Sequence, residues 1–299
     1  MKWFNHTVAN IIPMLPKNFV WIFSKKYIAG PTLQDAVVTT KSLMDEGCCA
    51  TIDVLGEEVK VKEDSLKAVE LYKQVLKTIN DEGLDANISV KPTHMGLKID
   101  KEFCYNNIRT LVELAKEYNN FVRVDMEDHT CTDDTFEIVY RLKKEFDNVG
   151  TVIQSYLRRT MHDLDHLTKE KVSLRLCKGI YNEPRAIAFK DMDIINKNYD
   201  YVLEKLLENG NYVGIATHDE KLVWNALRLI REMKLDKSKY EFQMLLGVQD
   251  ELRKIIVAEG HKLRVYVPFG KDWFAYSTRR LKENPAMIQH IIKSILGLD

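Results

Sequence analysis

Neither sign of charge is in excess in this chain: 44 lysines and arginines balance 44 aspartates and glutamates among 299 residues. A neutral balance argues against nucleic acid as the main partner, because backbone phosphate binding draws on surplus basic side chains, and it leaves open only a local basic pocket. Paired cysteines are missing as well. Cys48, Cys49, Cys104, Cys131 and Cys177 form no CxxC pair and leave an odd count. They read as reduced thiols of a cytosolic protein, serving as small core residues, and not as a disulfide framework. No uninterrupted apolar run is long enough to span a bilayer. Two glycines never stand two positions apart, so GxGxxG is absent, and so is GxxxxGK[ST]. HEXXH is absent too; His162 and His166 have i, i+4 spacing without the glutamate, as solvated helix histidines commonly do.

What is present is apolar mass in a repeating order. Hydrophobic residues make up 45% and charged residues 29% of the chain, enough for a sizeable core and too little bias for disorder. The length alone suits either one large α/β barrel or two ordinary domains. Eight short segments rich in β-branched and aliphatic residues recur at 49–54, 87–90, 121–126, 151–154, 173–177, 212–217, 241–246 and 263–267. Helical periodicity lies between them, for example at Leu66, Val69, Tyr72, Val75, Leu76 and Ile79, at Ile108, Leu111, Val112 and Ala115, and at Val223, Leu227 and Ile230. Apolar strands alternating with helices predict a parallel sheet covered by helices. Eight such units, without the glycine-rich turn of an open doubly wound sheet, predict a single (β/α)8 TIM-type barrel over residues 31–299. Residues 1–30 form a separate apolar arm, running from Trp3-Phe4 through Ile11-Ile12-Pro13 into Phe19–Phe23. Two prolines and the lack of a small-residue cleavage site make it a poor signal peptide. It is expected to be helical and packed on the barrel or on a partner subunit, with contact at a membrane surface as the rarer alternative.

In such a barrel the chemistry sits where the strands end. There the sequence turns polar: Lys91 after the second strand, Asp125-Met126-Glu127-Asp128-His129 after the third, Gln154 after the fourth, Arg175 and Lys178-Gly179 at the fifth, Thr217-His218 at the sixth, Leu245-Leu246-Gly247 at the seventh, Tyr266 and Pro268 at the eighth. Buried charge is costly unless paired, so Lys91, Asp125 and Arg175 need a reason. Three readings are open. Asp125, Glu127 and His218 offer ligands for a divalent metal and lyase or aldolase chemistry, against the repulsion of nearby cations. Arg175, Lys178, Arg279 and Arg280 offer dense positive charge for two anions, a cofactor pyrophosphate and a substrate carboxylate. In the third reading the charges form only a structural ion-pair layer.

The segment from Val265 to Pro285, VYVPFGKDWFAYSTRRLKENP, closely resembles the signature of the proline dehydrogenase family. VRVDME at 122–127, RLCKGIY at 175–181 and QML at 243–245 agree with it in order and spacing, and the resemblance runs from Thr51 to Pro285. It implies a distorted barrel that binds FAD and oxidises L-proline to Δ1-pyrroline-5-carboxylate. By the same resemblance Arg279 and Arg280 grip the proline carboxylate, with Lys91 as a third cation. Asp125 closes the proline site and keeps Lys91 or Arg175 oriented, and Arg175 lies near the reactive part of the flavin. Met126, Gln154, Lys178, Gly179, Ile180, Thr217 and His218 match FAD-contacting positions, while Tyr181, Leu245 and Tyr266 wall the pyrrolidine ring. The sequence departs from the family at Ile180, where a smaller residue is usual, at Leu246, where an aromatic is common, and at Lys91-Pro92-Thr93-His94. The first two departures bear on substrate preference, proline against hydroxyproline; the third bears on the role carried over to Lys91. The resemblance further implies a quinone-type electron acceptor, reached at the inner face of the membrane, and a separate pyrroline-5-carboxylate dehydrogenase downstream. No residue stands out as the proton acceptor, which leaves water as a candidate.

Overall fold

The computed structural model describes Trp21, residues 24–274, Tyr276 and Ser277. Each of the eight apolar segments becomes a strand: β1 (Cys49–Val54), β2 (Ala86–Val90), β3 (Val122–Val124), β4 (Val149–Gln154), β5 (Ser173–Cys177), β6 (Val213–Ala216), β7 (Tyr240–Leu245) and β8 (Leu263–Phe269). All pair in parallel in chain order, and β8 returns to β1 with Cys49 opposite Arg264 and Ile52 opposite Val267, so the sheet closes as a barrel. The expected (β/α)8 architecture is the observed one. β3 is shorter than expected because the Asp125 amide still donates to Val90, after which the chain leaves the sheet.

Helices α2 (Lys62–Asp81), α3 (Lys101–Glu117), α4 (Thr132–Lys143), α5 (Thr160–Lys169), α6 (Met192–Glu208), α7 (Glu220–Glu232) and α8 (Asp250–Ala258) connect successive strands. Their apolar faces follow the sequence period: Val69, Tyr72, Val75, Leu76 and Ile79 of α2 are buried, though Leu66 turns outward. Acidic caps start several of them. Asp100 accepts from the Phe103 amide, Asp191 from Asp193 and Ile194, and Asp219 from Lys221.

One further helix, α1 (Leu33–Asp45), precedes β1 and is opened by a capping box between Thr32 and Asp35. It buries Ala36, Val37 and Leu43 against β1 and β8. A regular barrel would place there the helix that follows its last strand. Instead the chain after β8 turns at Gly270 and re-enters helix at Trp273, above the strand ends. Tyr276 packs there with Ile28 and Leu55. Of the proposed arm, residues 1–20, Ile22 and Phe23 lie outside the described residues; Ala29 already donates its amide to Pro268 of β8.

Four of the five cysteines are buried as expected, and Cys177 is the exception, half-buried at the end of β5. His162 and His166 are exposed on α5, His166 against the Tyr140 ring. Among the described residues no helix is long and apolar enough to cross a membrane.

Candidate active site

Side chains two apart on a strand point to the same face. The inward residues Asp53 of β1, Arg123 and Asp125 at β3, Arg175 and Cys177 of β5, Gln243 and Leu245 of β7 and Tyr266 of β8 therefore rise through the barrel and end at one mouth. A cavity opens there, at the carboxyl ends of the strands. Lys91, Asp125, Met126, Gln154, Arg175, Lys178, Gly179, Ile180, Tyr181, Thr217, His218, Leu245 and Tyr266, all expected at the site, line it together. Arg279 and Arg280 lie outside the described residues.

The pairing inside the cavity differs from the expected one. Lys91 meets both carboxylate oxygens of Asp53, at 3.0 and 2.9 Å, and the Tyr266 hydroxyl at 3.4 Å. Its three ammonium donors thus have acceptors within the protein. Burial works against the charge of Lys91, yet the Asp53 carboxylate holds its pKa well above the ordinary lysine value. Asp125 is bonded instead to Arg123, Nε to Oδ1 at 3.0 Å, and Arg175 donates from Nε to Gln243 Oε1 at 3.0 Å. Orientation of Lys91 and Arg175 therefore falls to Asp53 and Gln243, not to Asp125.

Asp53 and Gln243 are the residues that sequence reasoning passed over. Their signal was a polar side chain at an inward position of a largely apolar strand, Asp53 in CATIDV and Gln243 in YEFQML.

The rest of the wall is arranged for polar contact. Gln154 donates to the Met126 carbonyl at 3.3 Å, while its Oε1 is buried without a hydrogen-bond partner among the described residues. Lys178 pairs with Asp219 at 2.8 Å. His218 Nε2 accepts the Leu245 amide at 2.8 Å, which puts the proton of the neutral ring on Nδ1. Gly179 has φ +104°, and a Cβ there would lie 2.2 Å from the Tyr156 ring, so the turn after β5 requires glycine. Burial keeps the phenols of Tyr181 and Tyr266 protonated.

The metal reading finds no support in this arrangement. Glu127 is held by the Thr93 amide and hydroxyl at 2.8 and 2.6 Å, Asp125 by Arg123, and His218 by Leu245. Among the described residues no group of three histidine, cysteine, aspartate or glutamate side chains is gathered as a metal would need.

The model of the proline dehydrogenase family matches residues 36–292. The chain belongs to the proline dehydrogenase family. Proline dehydrogenase 1 of Bacillus subtilis (strain 168) is 37% identical over 273 residues, 91% of this chain and 90% of that protein. The proline dehydrogenase of Deinococcus radiodurans is 33% identical over 293 residues, 95% of this chain and 94% of that protein. Among solved structures, proline utilization A from Bdellovibrio bacteriovorus, inactivated by N-propargylglycine, matches with a TM-score of 0.81 at 24% identity. That match covers 87% of this chain and 32% of that chain, and it establishes a common fold.

Proposed function

We propose that this chain oxidises L-proline to Δ1-pyrroline-5-carboxylate with FAD bound in the cavity at the barrel mouth. The observation that carries the reading is the convergence of a small aromatic-walled pocket, Tyr181, Leu245 and Tyr266, with cationic and amide groups, Arg175, Lys178 and Gln154, on one cavity. The residues suit the cofactor. The buried Gln154 Oε1 without a partner asks for a donor such as a ring imide N–H, and Arg175 and Lys178 suit anionic oxygens. FAD, when bound, supplies the hydride acceptor for proline C5, a step for which side chains have no equivalent.

The protein's own part is binding and orientation. Arg279 and Arg280 would bind the proline carboxylate, a role for which guanidinium groups are suited. Lys91, saturated by Asp53 and Tyr266, stiffens the pocket wall and adds its field without a further bond. Tyr266, Leu245 and Tyr181 exclude water from the apolar face of the ring and fix its pose, a gain of the near-attack kind. Water takes the amine proton. Electrons pass to a quinone-type acceptor, with the chain in the cytoplasm and in peripheral contact with the inner face of the membrane, and the product goes to a separate pyrroline-5-carboxylate dehydrogenase.

The test is spectral. Purified protein should be yellow and should bleach when L-proline is added anaerobically, and pre-incubation with N-propargylglycine should abolish that bleaching. A colourless protein activated by Mg²⁺ or Zn²⁺ would overturn the reading in favour of a lyase.

A further inference from the structure

Below the cavity a ladder of polar side chains crosses the barrel interior, beside a second cavity lined by Arg123, Glu241, Gln243 and Arg264. At its floor Arg264 donates to Glu241 from Nε at 2.7 Å and to the Ala50 carbonyl from Nη1 at 2.5 Å. One step higher, Gln243 donates its Nε2 to the same Glu241 oxygen at 2.7 Å. That bond settles which way the amide faces, because a carboxylate accepts only from the nitrogen. Gln243 Oε1 is thereby turned upward, where it accepts from Arg175 Nε at 3.0 Å and from Arg123 Nη1 at 3.2 Å.

Two guanidinium groups thus share one neutral oxygen, although a carboxylate would be the stronger acceptor for either. Arg123 has a carboxylate of its own in Asp125. Arg175 has none within ion-pair distance among the described residues; its bonded partner is the amide. The neighbouring strand is shaped to fit. A Cβ on Gly214 of β6 would lie 2.4 Å from Gln243 Nε2 and 2.8 Å from its Cδ, so β6 omits a side chain where the amide crosses it.

We propose that Gln243 is the positioning residue of Arg175, an uncharged acceptor that fixes the guanidinium at the cavity wall without neutralising it. A glutamate in its place would cancel the charge of Arg175 and set a second carboxylate against the Glu241 oxygen that the amide nitrogen now bonds. An apolar residue would leave the charge and release the group. Only the amide fixes the group and leaves its charge, and a preorganised, unneutralised cation is what stabilises negative charge developing on a bound partner in a water-poor site. The inference rests on the reading of the cavity as a flavin site, since the reduced ring is the anion that Arg175 would face.

The experiment is the flavin midpoint potential of the holoprotein, measured by dye equilibration in wild type, Gln243→Met, Gln243→Glu, Arg175→Met and the double variant Arg175→Met/Gln243→Met. Gln243→Met and Gln243→Glu should each lower the ratio of reduced to oxidised flavin at fixed dye potential about tenfold, ~30 mV for a two-electron couple. The double variant should match Arg175→Met alone, because Gln243 acts through that arginine. A merely structural glutamine would lower the melting temperature and leave the potential in place, and that result would overturn the proposal. So would fully additive shifts in the double variant. If Gln243→Met does not fold, Gln243→Asn, which withdraws the amide from Arg175 without adding charge beside Glu241, decides in its place. A yellow, proline-reducible wild type with unmoved variants defeats the role of Gln243 only; a colourless wild type defeats the flavin reading, and this inference with it.

Discussion

Asp53 is fully buried and Lys91 nearly so, and each is the other's charged partner. Taking two ions from water costs several kcal/mol each, returned only while both are present and well bonded. Tyr72 completes the arrangement by donating to the Ser89 carbonyl at 2.7 Å and standing 3.2 Å from Asp53 Oδ1. Asp53→Asn should therefore destabilise the protein by about 3–5 kcal/mol, because it strands a buried ammonium. Adding Lys91→Met should recover much of that stability and none of the proline turnover, since the wall beside Tyr266 is not rebuilt. Urea denaturation and steady-state kinetics on the three variants check this; equal stability of the single and double variants would refute the coupling. Tyr266 itself carries a second expectation. It lines the pocket at the end of β8, where a hydroxyl added to the substrate ring would clash. Tyr266→Ser should shift the ratio of kcat/KM values toward hydroxyproline by about 1–3 kcal/mol, and an unmoved ratio would make the tyrosine structural.

At the scale of elements, the strands were legible because a sheet buried on both faces must be built from continuous apolar runs. All eight expected segments are strands, with ends displaced by a few residues where backbone bonding, not composition, sets the limit, as at Asp125. Most residues gathered at the cavity were legible because position at a strand end is a property of sequence order, while Ile180 and Tyr181 came from the family resemblance alone. Their bonding was not. Asp53 and Lys91 are 38 positions apart, and Arg175 and Gln243 are 68, so which charge meets which depends on barrel closure and on rotamers that no local pattern encodes. Helix α1 was missed for a related reason: it packs on β1 and β8 across the closure of the sheet. The element after β8 precedes the signature arginines, which lie outside the described residues. It begins at Trp273 and is tied by Ser277 Oγ donating to the Trp273 carbonyl at 2.7 Å. Adjacent side chains would point ~100° apart if they lay on a regular helix, so sharing one carboxylate would ask the long side chains of Arg279 and Arg280 to converge. Arg279→Met and Arg280→Met should each raise the proline KM roughly 10- to 100-fold with flavin retained, the worth of a charge-assisted hydrogen bond. Lysine should not rescue either, for want of the bidentate fork. A variant that loses flavin yet keeps its proline affinity on reconstitution would assign that arginine to the cofactor.

For the whole molecule, a barrel with charge in its interior acquires a pH dependence that its neutral surface would not suggest. Glu241 at the floor is pushed up by burial but drawn down further by Arg264, to about 2 from its ordinary 4.5. Its folded-state pKa is depressed, so its contribution to stability is complete above pH 4.5 and is lost as pH falls toward 2. His94 is likewise depressed, from 6.5 to about 4, by burial first and by Lys91 second. The unfolded chain takes up this proton below pH 6.5 while the folded chain refuses it until about pH 4, so stability falls as pH drops through that window. Asp53 and Glu127, both raised by burial, act in the opposite sense, so the wild-type curve alone is a mixture. The difference between wild type and His94→Gln isolates one group, because the other groups largely cancel in it. That difference in unfolding free energy, from urea titrations between pH 7 and pH 4, should change on the order of 3 kcal/mol in favour of the variant as pH falls. The charge of Lys91 makes the effect specific. In a Lys91→Met background burial alone opposes protonation of His94, and the same difference should shrink. A pH-independent difference would mean that His94 titrates freely, and that the imidazole packed against Gly56 and facing Tyr72 is not sealed from water.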